Sequence, residues 1–161
     1  MPNDRTRELS AVTRFLAVDC AYPMRFVGLD DGLDLGQLFV QTTSLPQAGS
    51  PAHLSGWIDR ALATLRGDQG TLLSGCSWVV EGRRGIIAAL LVVAQAGAPR
   101  IVELAVAPTY QRHGIGTALV AATLDSLHGA QYATVAATIM PNTPHEQLLQ
   151  KCGFTSVVSE R

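Results

Sequence analysis

Arg100-Ile101-Val102-Glu103-Leu104-Ala105-Val106-Ala107-Pro108-Thr109-Tyr110-Gln111-Arg112-His113-Gly114-Ile115-Gly116-Thr117-Ala118-Leu119 is the stretch that decides the fold. The β-branched, apolar run from Ile101 to Val106 predicts a buried strand that Pro108 stops, and the apolar-rich segment from Ile115 to Leu127 predicts a helix. Between them lies a loop carrying Gly114 and Gly116. Glycines at the first turn of a helix let backbone N–H groups meet a ligand with no side chain in between. Those unpaired donors also sit at the positive end of the helix dipole. Such a site calls for an anion, although two glycines at a strand-to-helix turn can also serve the turn alone.

Two common anion loops are excluded by the residues themselves. A Walker loop needs Lys and then Ser or Thr after its last glycine, whereas Thr117 follows Gly116 directly and no Lys is present there. A dinucleotide fingerprint needs a third glycine where Leu119 stands, and an acidic residue closing the next strand, which here ends Met140-Pro141-Asn142. What remains is Gln111-Arg112-His113-Gly114-Ile115-Gly116 behind Leu104-x-Val106-x-Pro108. This resembles the acetyl-CoA loop of the GNAT superfamily of acyltransferases. Downstream, a second strand from Ala133 to Met140 is followed by Asn142, a short helical stretch with Leu148-Leu149, and Gly153-Phe154. That is similar to the superfamily's succession of Asn, Leu-Tyr and Gly-Phe, at matching spacing.

The resemblance covers roughly Met24 to Phe154 and implies acetyl-CoA (coenzyme A) as cofactor. It puts the pyrophosphate on Gln111, Arg112, His113, Gly114, Ile115, Gly116 and Thr117, with Asn142 nearby. It implies a mixed α/β fold: a mostly antiparallel sheet with one parallel, splayed strand pair and helices on both faces. The pantetheine arm would lie in the splay and pair with the backbone of Leu104, Ala105 and Val106, the N–H near Val106 being the family's oxyanion donor.

Composition agrees with one domain spanning residues 1–161. At 161 residues and 47% hydrophobic the chain can bury a sizeable core, and no Pro, Ser or charge-rich linker interrupts it. Cys20, Cys76 and Cys152 are odd in number and lack a Cys-x-x-Cys pair, which argues against a disulfide framework and a structural metal site. A reducing cytoplasm is the expected setting. The apolar run from Ile86 to Ala94 is too short for a membrane span, and the N-terminus lacks the apolar core of a signal peptide. A net charge of -1 gives no broad footprint for nucleic acid.

Periodicity sketches the remaining elements. An N-terminal extension over residues 1–23 is expected to be helical, because Leu9, Val12 and Leu16 fall on one side of a helix from Asp4 to Ala17. Met24 to Leu29 reads as the first strand and Leu33 to Leu45 as a helix. Pro51 to Arg66 reads as another, with Leu54, Trp57, Ile58, Ala61, Leu62 and Leu65 on one stripe and Ser50 as its cap. Cys76 to Val80, the turn Glu81-Gly82-Arg83-Arg84-Gly85 and Ile86 to Gln95 form a hairpin pattern. Strand, helix and strand from Ile101 to Met140 predict a parallel pair with a right-handed crossover, and Gly129 is a candidate C-cap. Thr143-Pro144-His145-Glu146 has the form of a capping box, which makes Glu146 structural.

The chain departs from the family pattern in two places. Leu149 stands where many members carry a Tyr, the usual general acid. After Gly153-Phe154 only Thr155 to Arg161 remain, one short strand where members commonly have a hairpin. Either the sheet ends early or a partner, for example a second copy in a homodimer, completes it.

Acyl transfer to an amine requires removal of a proton, an oxyanion donor and a thiolate leaving group. Glu103 interrupts an apolar strand beside the cofactor, so it is the candidate base; its alternatives are facing water or pairing with an Arg at a strand edge. His145, four residues before Leu149, is the candidate replacement proton donor, or else a solvated histidine at a helix start. A thiol of pKa roughly 8.5 already leaves tolerably well, so loss of the Tyr acid need not end activity. Tyr110 reads as a packing or phosphate-contact residue and Cys152 as a buried filler. The resemblance implies an acetyl-CoA-dependent N-acetyltransferase acting on a small-molecule or peptide amine. The alternative is a silent acyl-CoA-binding module. A toxin-like acylator of charged tRNA finds little support in the net charge. Residues Leu33 to Arg66, expected to wall the acceptor pocket, offer only His53 and Trp57 as suggestive side chains, and Trp57 reads as core.

Overall fold

The first element is a strand. β1 (Arg7–Val12) replaces the helix expected over residues 4–17, in a computed structural model that describes residues 5–42, 51 and 53–157. Leu9, Ala11 and Thr13 are buried while Val12 is 69% exposed. Burial at every second residue is the period of a pleated strand, and it overrides the helical spacing that Leu9, Val12 and Leu16 also satisfy.

β2 (Met24–Phe26) follows, then α1 (Gly32–Val40) and α2 (Leu54–Arg66). α1 stops short of the expected residue 45, and residues 43–50, including the expected cap Ser50, lie outside those described. α2 starts at Leu54 with His53 as its cap, later than the sequence suggested, and ends on Gly67 at φ 90°. β3 (Thr71–Leu72), β4 (Trp78–Gly82), β5 (Gly85–Gln95) and β6 (Ala98–Val106) come next. Cys76 belongs to a short 3-10 turn ahead of β4, and the β4–β5 hairpin closes tightly with Gly82 opposite Gly85. α3 (Ile115–Gly129), β7 (Thr134–Ile139), α4 (Pro144–Lys151) and β8 (Thr155–Ser156) complete the chain. Gly129 is the last helical residue and not the cap, which is Ala130; the positive φ of 70° falls on Gln131.

One sheet runs in the order β2-β4-β5-β6-β7-β1-β8, with β3 also on β5. Among the described strands only β6 and β7 pair in parallel. β5 is buried on both faces from Ile86 to Val93, hence its continuous apolar run. Leu35, Phe39, Trp57, Ala61 and Leu65 of α1 and α2 pack against Val79, Ala89, Leu91 and Ala105 on one face. On the other, Ile115, Leu119, Leu124 and Leu149 of α3 and α4 pack against Leu90, Ile101, Leu104 and Ala137. No helix among the described residues is long and apolar enough to cross a membrane.

Beyond β7 the next strand of the sheet is β1. It pairs antiparallel with β7 from Arg7↔Ile139 to Val12↔Thr134, and β8 adds to its outer side at Leu9↔Ser156 and Ser10↔Thr155. The chain's own N-terminal strand thus extends the sheet where an early end or a partner was expected.

Candidate active site

β6 and β7 begin together and then separate. Their pairing is confined to Arg100↔Ala136 and Ile101↔Ala137. The cause lies one residue further on, where the β5–β6 register steps from Val92↔Ile101 to Leu91↔Glu103 and passes over Val102. A bulge of this kind bends its strand. Past it, Ala107 N–H donates to Ile87 O at 2.8 Å, and Ala105 lies opposite Ala89 in the same alternation. Ala105 therefore turns its N–H and C=O towards β5, while Leu104 and Val106 turn theirs into the gap. Of the three residues expected to pair with a ligand there, Ala105 is already committed to the sheet.

Two side chains reach the carbonyls on that edge. Gln111 Nε2 donates to Val106 O at 3.0 Å, and His145 Nε2 lies 2.8 Å from Leu104 O. A carbonyl only accepts, so this ring nitrogen carries the hydrogen.

At the end of the gap, α3 starts on Gly114, which has φ 79° and no side-chain cap. The first helical bond runs from Ala118 N–H to Gly114 O, so the N–H groups of Ile115, Gly116 and Thr117 have no intrahelical acceptor. A Cβ at Gly114 would meet nothing within 4 Å, and residues 111–114 are exposed. Arg112 itself has φ 66°. Gly116 differs: its Cβ would come to 2.8 Å from Leu148 Cδ2 and 3.8 Å from Val106 Cγ2. It permits close packing of α3, α4 and β6, whereas Gly114 leaves the loop open. The Ile115 side chain is core, and Tyr110 stacks edge-on against Tyr22 at 5.5 Å.

Glu103 does not face water; it pairs with an Arg, as the second of its alternatives had it. It is 1% exposed, on the α1–α2 face, with Oε1 3.2 Å from Arg60 Nε. Arg60, itself buried, lies with its guanidinium carbon 5.1 Å from the Trp57 ring centroid. Arg60 was missed from the sequence, although Trp57, Arg60, Ala61 and Thr64 share the buried stripe of α2. A charge in that stripe and a charge in an apolar strand are each expensive alone, and this was the signal that they meet. Trp57 is core and His53 is exposed.

Across the gap, Thr143 Oγ1 accepts from Glu146 N–H at 3.3 Å, as a capping box requires. The return bond is displaced by one residue, since Glu146 Oε1 accepts from Asn142 N–H at 3.2 Å, and Oε2 holds Arg7 Nη1 at 2.7 Å. Glu146 thereby ties α4 to β1, and exposed Asn142 takes φ 63°. Burial pushes the His145 imidazole below its ordinary pKa, against a smaller opposing effect of the Leu104 bond. A neutral ring is a poor acid, which weighs against the donor role expected for it. Leu149 is fully buried in the α3–α4 core, and Leu148 packs over Gly116. Burial raises the Cys152 and Cys76 thiols; Cys76 is buried, whereas Cys152, expected to be a buried filler, is half-buried.

The model of the Acetyltransferase (GNAT) domain matches residues 74–156, just over half of the chain. No curated protein gives a significant match. Among solved structures, the GCN5-related N-acetyltransferase of Sphaerobacter thermophilus is 13% identical at a TM-score of 0.68, over 94% of this chain and 48% of its own. PaiA N-acetyltransferase from Thermoplasma acidophilum, in complex with coenzyme A, is 13% identical at 0.65, over 88% and 94%. Diaminobutyrate acetyltransferase EctA from Paenibacillus lautus, with L-2,4-diaminobutyric acid and coenzyme A, is 15% identical at 0.59, over 84% and 75%. At such identities the likeness shows the fold, and this chain spans about half the length of some of the structures it matches.

Proposed function

The chain belongs to the GNAT acetyltransferase family, and from that premise we propose that it transfers an acetyl group from acetyl-CoA to a primary amine of a small molecule or peptide. The observation that carries this reading is the gap between β6 and β7, with the Leu104 and Val106 backbone turned into it and the uncapped start of α3 at its end. Those parts fit the cofactor chemically. Ile115, Gly116 and Thr117 N–H groups suit a pyrophosphate, and space above Gly114 admits it. Arg112 and His113 flank the same exposed loop, and Asn142 lies beyond β7.

When bound, acetyl-CoA supplies the activated acetyl thioester. Val106 N–H, already turned into the gap, would be the donor for an oxyanion developing there. Glu103, the one acidic residue of β6, takes the amine proton on the α1–α2 face, with Arg60 holding its carboxylate in place. Leu149 has no proton to give, so a departing thiolate would meet no acid at that position. A cytoplasmic setting suits the three free thiols.

The second reading is a silent coenzyme A-binding module, favoured by Leu149 and by the Arg60 pairing of Glu103. Thiol release from acetyl-CoA, followed over amines, amino acids, polyamines and peptides, separates the two. Release with any primary amine supports the enzyme. Tight acetyl-CoA binding without release from any of them supports the module.

A further inference from the structure

The contact between His145 and Leu104 O crosses the gap, joining the first turn of α4 to the edge of β6. A chain that pairs with β6 runs about 4.8 Å from it. The imidazole, 2.8 Å from Leu104 O, lies in that lane. It therefore satisfies the carbonyl that an arriving amide needs and also fills the space the amide would take. α4 itself is anchored, by the Thr143 cap and by the Arg7–Glu146 ion pair. Clearing the lane consequently falls to rotation of the His145 side chain and not to movement of the helix. Val106 O is held by Gln111, but from the loop side, on a residue of the exposed turn.

We propose that His145 is a latch on the cofactor cleft: its Nε2–H holds Leu104 O in the free protein, and acetyl-CoA seats its pantetheine amides on β6 only by displacing the ring. This rests on the cleft being the acetyl-CoA site. The latch keeps a buried carbonyl satisfied while the cleft is empty, a group that otherwise carries the full desolvation penalty. It lowers the apparent affinity by the fraction of time the lane is closed. It also makes the ring a displaced group of the cleft whenever cofactor is present, so His145 belongs to the cofactor's binding equilibrium as a competitor.

The test compares acetyl-CoA with phosphoadenosine diphosphate, the nucleotide portion of the cofactor without its pantetheine arm, by calorimetry on the parent and on His145→Ala. Removing the competing hydrogen bond tightens acetyl-CoA roughly 3- to 10-fold and leaves the nucleotide unchanged. Equal or weaker acetyl-CoA binding in the variant overturns the latch, as does equal tightening of both ligands, which would place the effect at the phosphate loop. Failure of the parent to bind acetyl-CoA at all defeats the cofactor reading itself and the latch with it. Should His145→Ala not fold, imidazole nitrogen resonances of the parent decide. The His145 Nε2–H is protected in the free protein and with the nucleotide alone, and loses protection on adding acetyl-CoA; retained protection at saturation overturns the proposal.

Discussion

Glu103 and Arg60 form a buried pair whose members cannot be removed singly without cost. Glu103→Gln should lower turnover about 10²-fold or more with little change in acetyl-CoA affinity, and the loss should shrink at high pH. The same substitution leaves a buried guanidinium without its counter-charge, so denaturant unfolding should show a loss of about 3–5 kcal/mol. A destabilised variant with an unaltered rate per folded molecule would make the pair purely structural. His145 gives a separate, pH-dependent signal. Its pKa is held below the ordinary 6.5 by burial, so between the two values the unfolded chain binds the proton more readily than the folded one. The stability tied to the neutral ring is complete above pH 6.5 and is lost as pH falls through the folded value. Unfolding curves across this range should slope less in His145→Gln than in the parent; equal slopes would mean that burial does not hold the ring neutral.

The loop that opens α3 shows how two glycines in one motif differ. Gly114 sits at positive φ over open space, and a Val there should weaken acetyl-CoA binding at least about tenfold in calorimetry, since its side chain takes ligand space and strains the cap. Affinity equal to the parent's would remove this loop from cofactor binding. Gly116 is occupied from behind by Leu148, so a side chain there disturbs packing first. The strand, loop and helix from Ile101 to Leu127 were legible because their signals are local: an apolar run, a proline stop and glycines at a helix start. The Thr143 cap was legible for the same reason. β1 was not, because Leu9, Val12 and Leu16 fit a helix while Leu9, Ala11 and Thr13 fit a strand. What decides between them is β7, about 130 residues away in the chain. The Arg60–Glu103 pair and the His145–Leu104 contact also join residues far apart in the chain, the latter 41 residues, and the gap itself depends on a bulge at Val102 that no local pattern announces.

Across the whole molecule, the first and last parts of the chain meet in one edge. Leu9 is fully buried and β1 lies between β7 and β8, so the sheet closes only when the N-terminus is in place. Deleting residues 1–12 should bare the β7 edge and remove buried Leu9 and Ala11. The expected result is a lost or markedly lowered thermal transition, with association visible in light scattering. A truncated chain that melts like the parent and stays unassociated would mean that β1 contributes nothing to the sheet. Among the described strands, β6 and β7 are neighbours that part after two paired residues, and it is in that gap that acetyl-CoA must bind if the fold explains the function. Amide hydrogen exchange reads this residue by residue. Adding acetyl-CoA should slow exchange at Leu104 and Val106, whose N–H groups face the gap, and at Ile115, Gly116 and Thr117, while Ala105, bonded to β5, stays slow throughout. Saturation with acetyl-CoA that leaves Leu104 and Val106 exchanging as in the free protein would contradict the account.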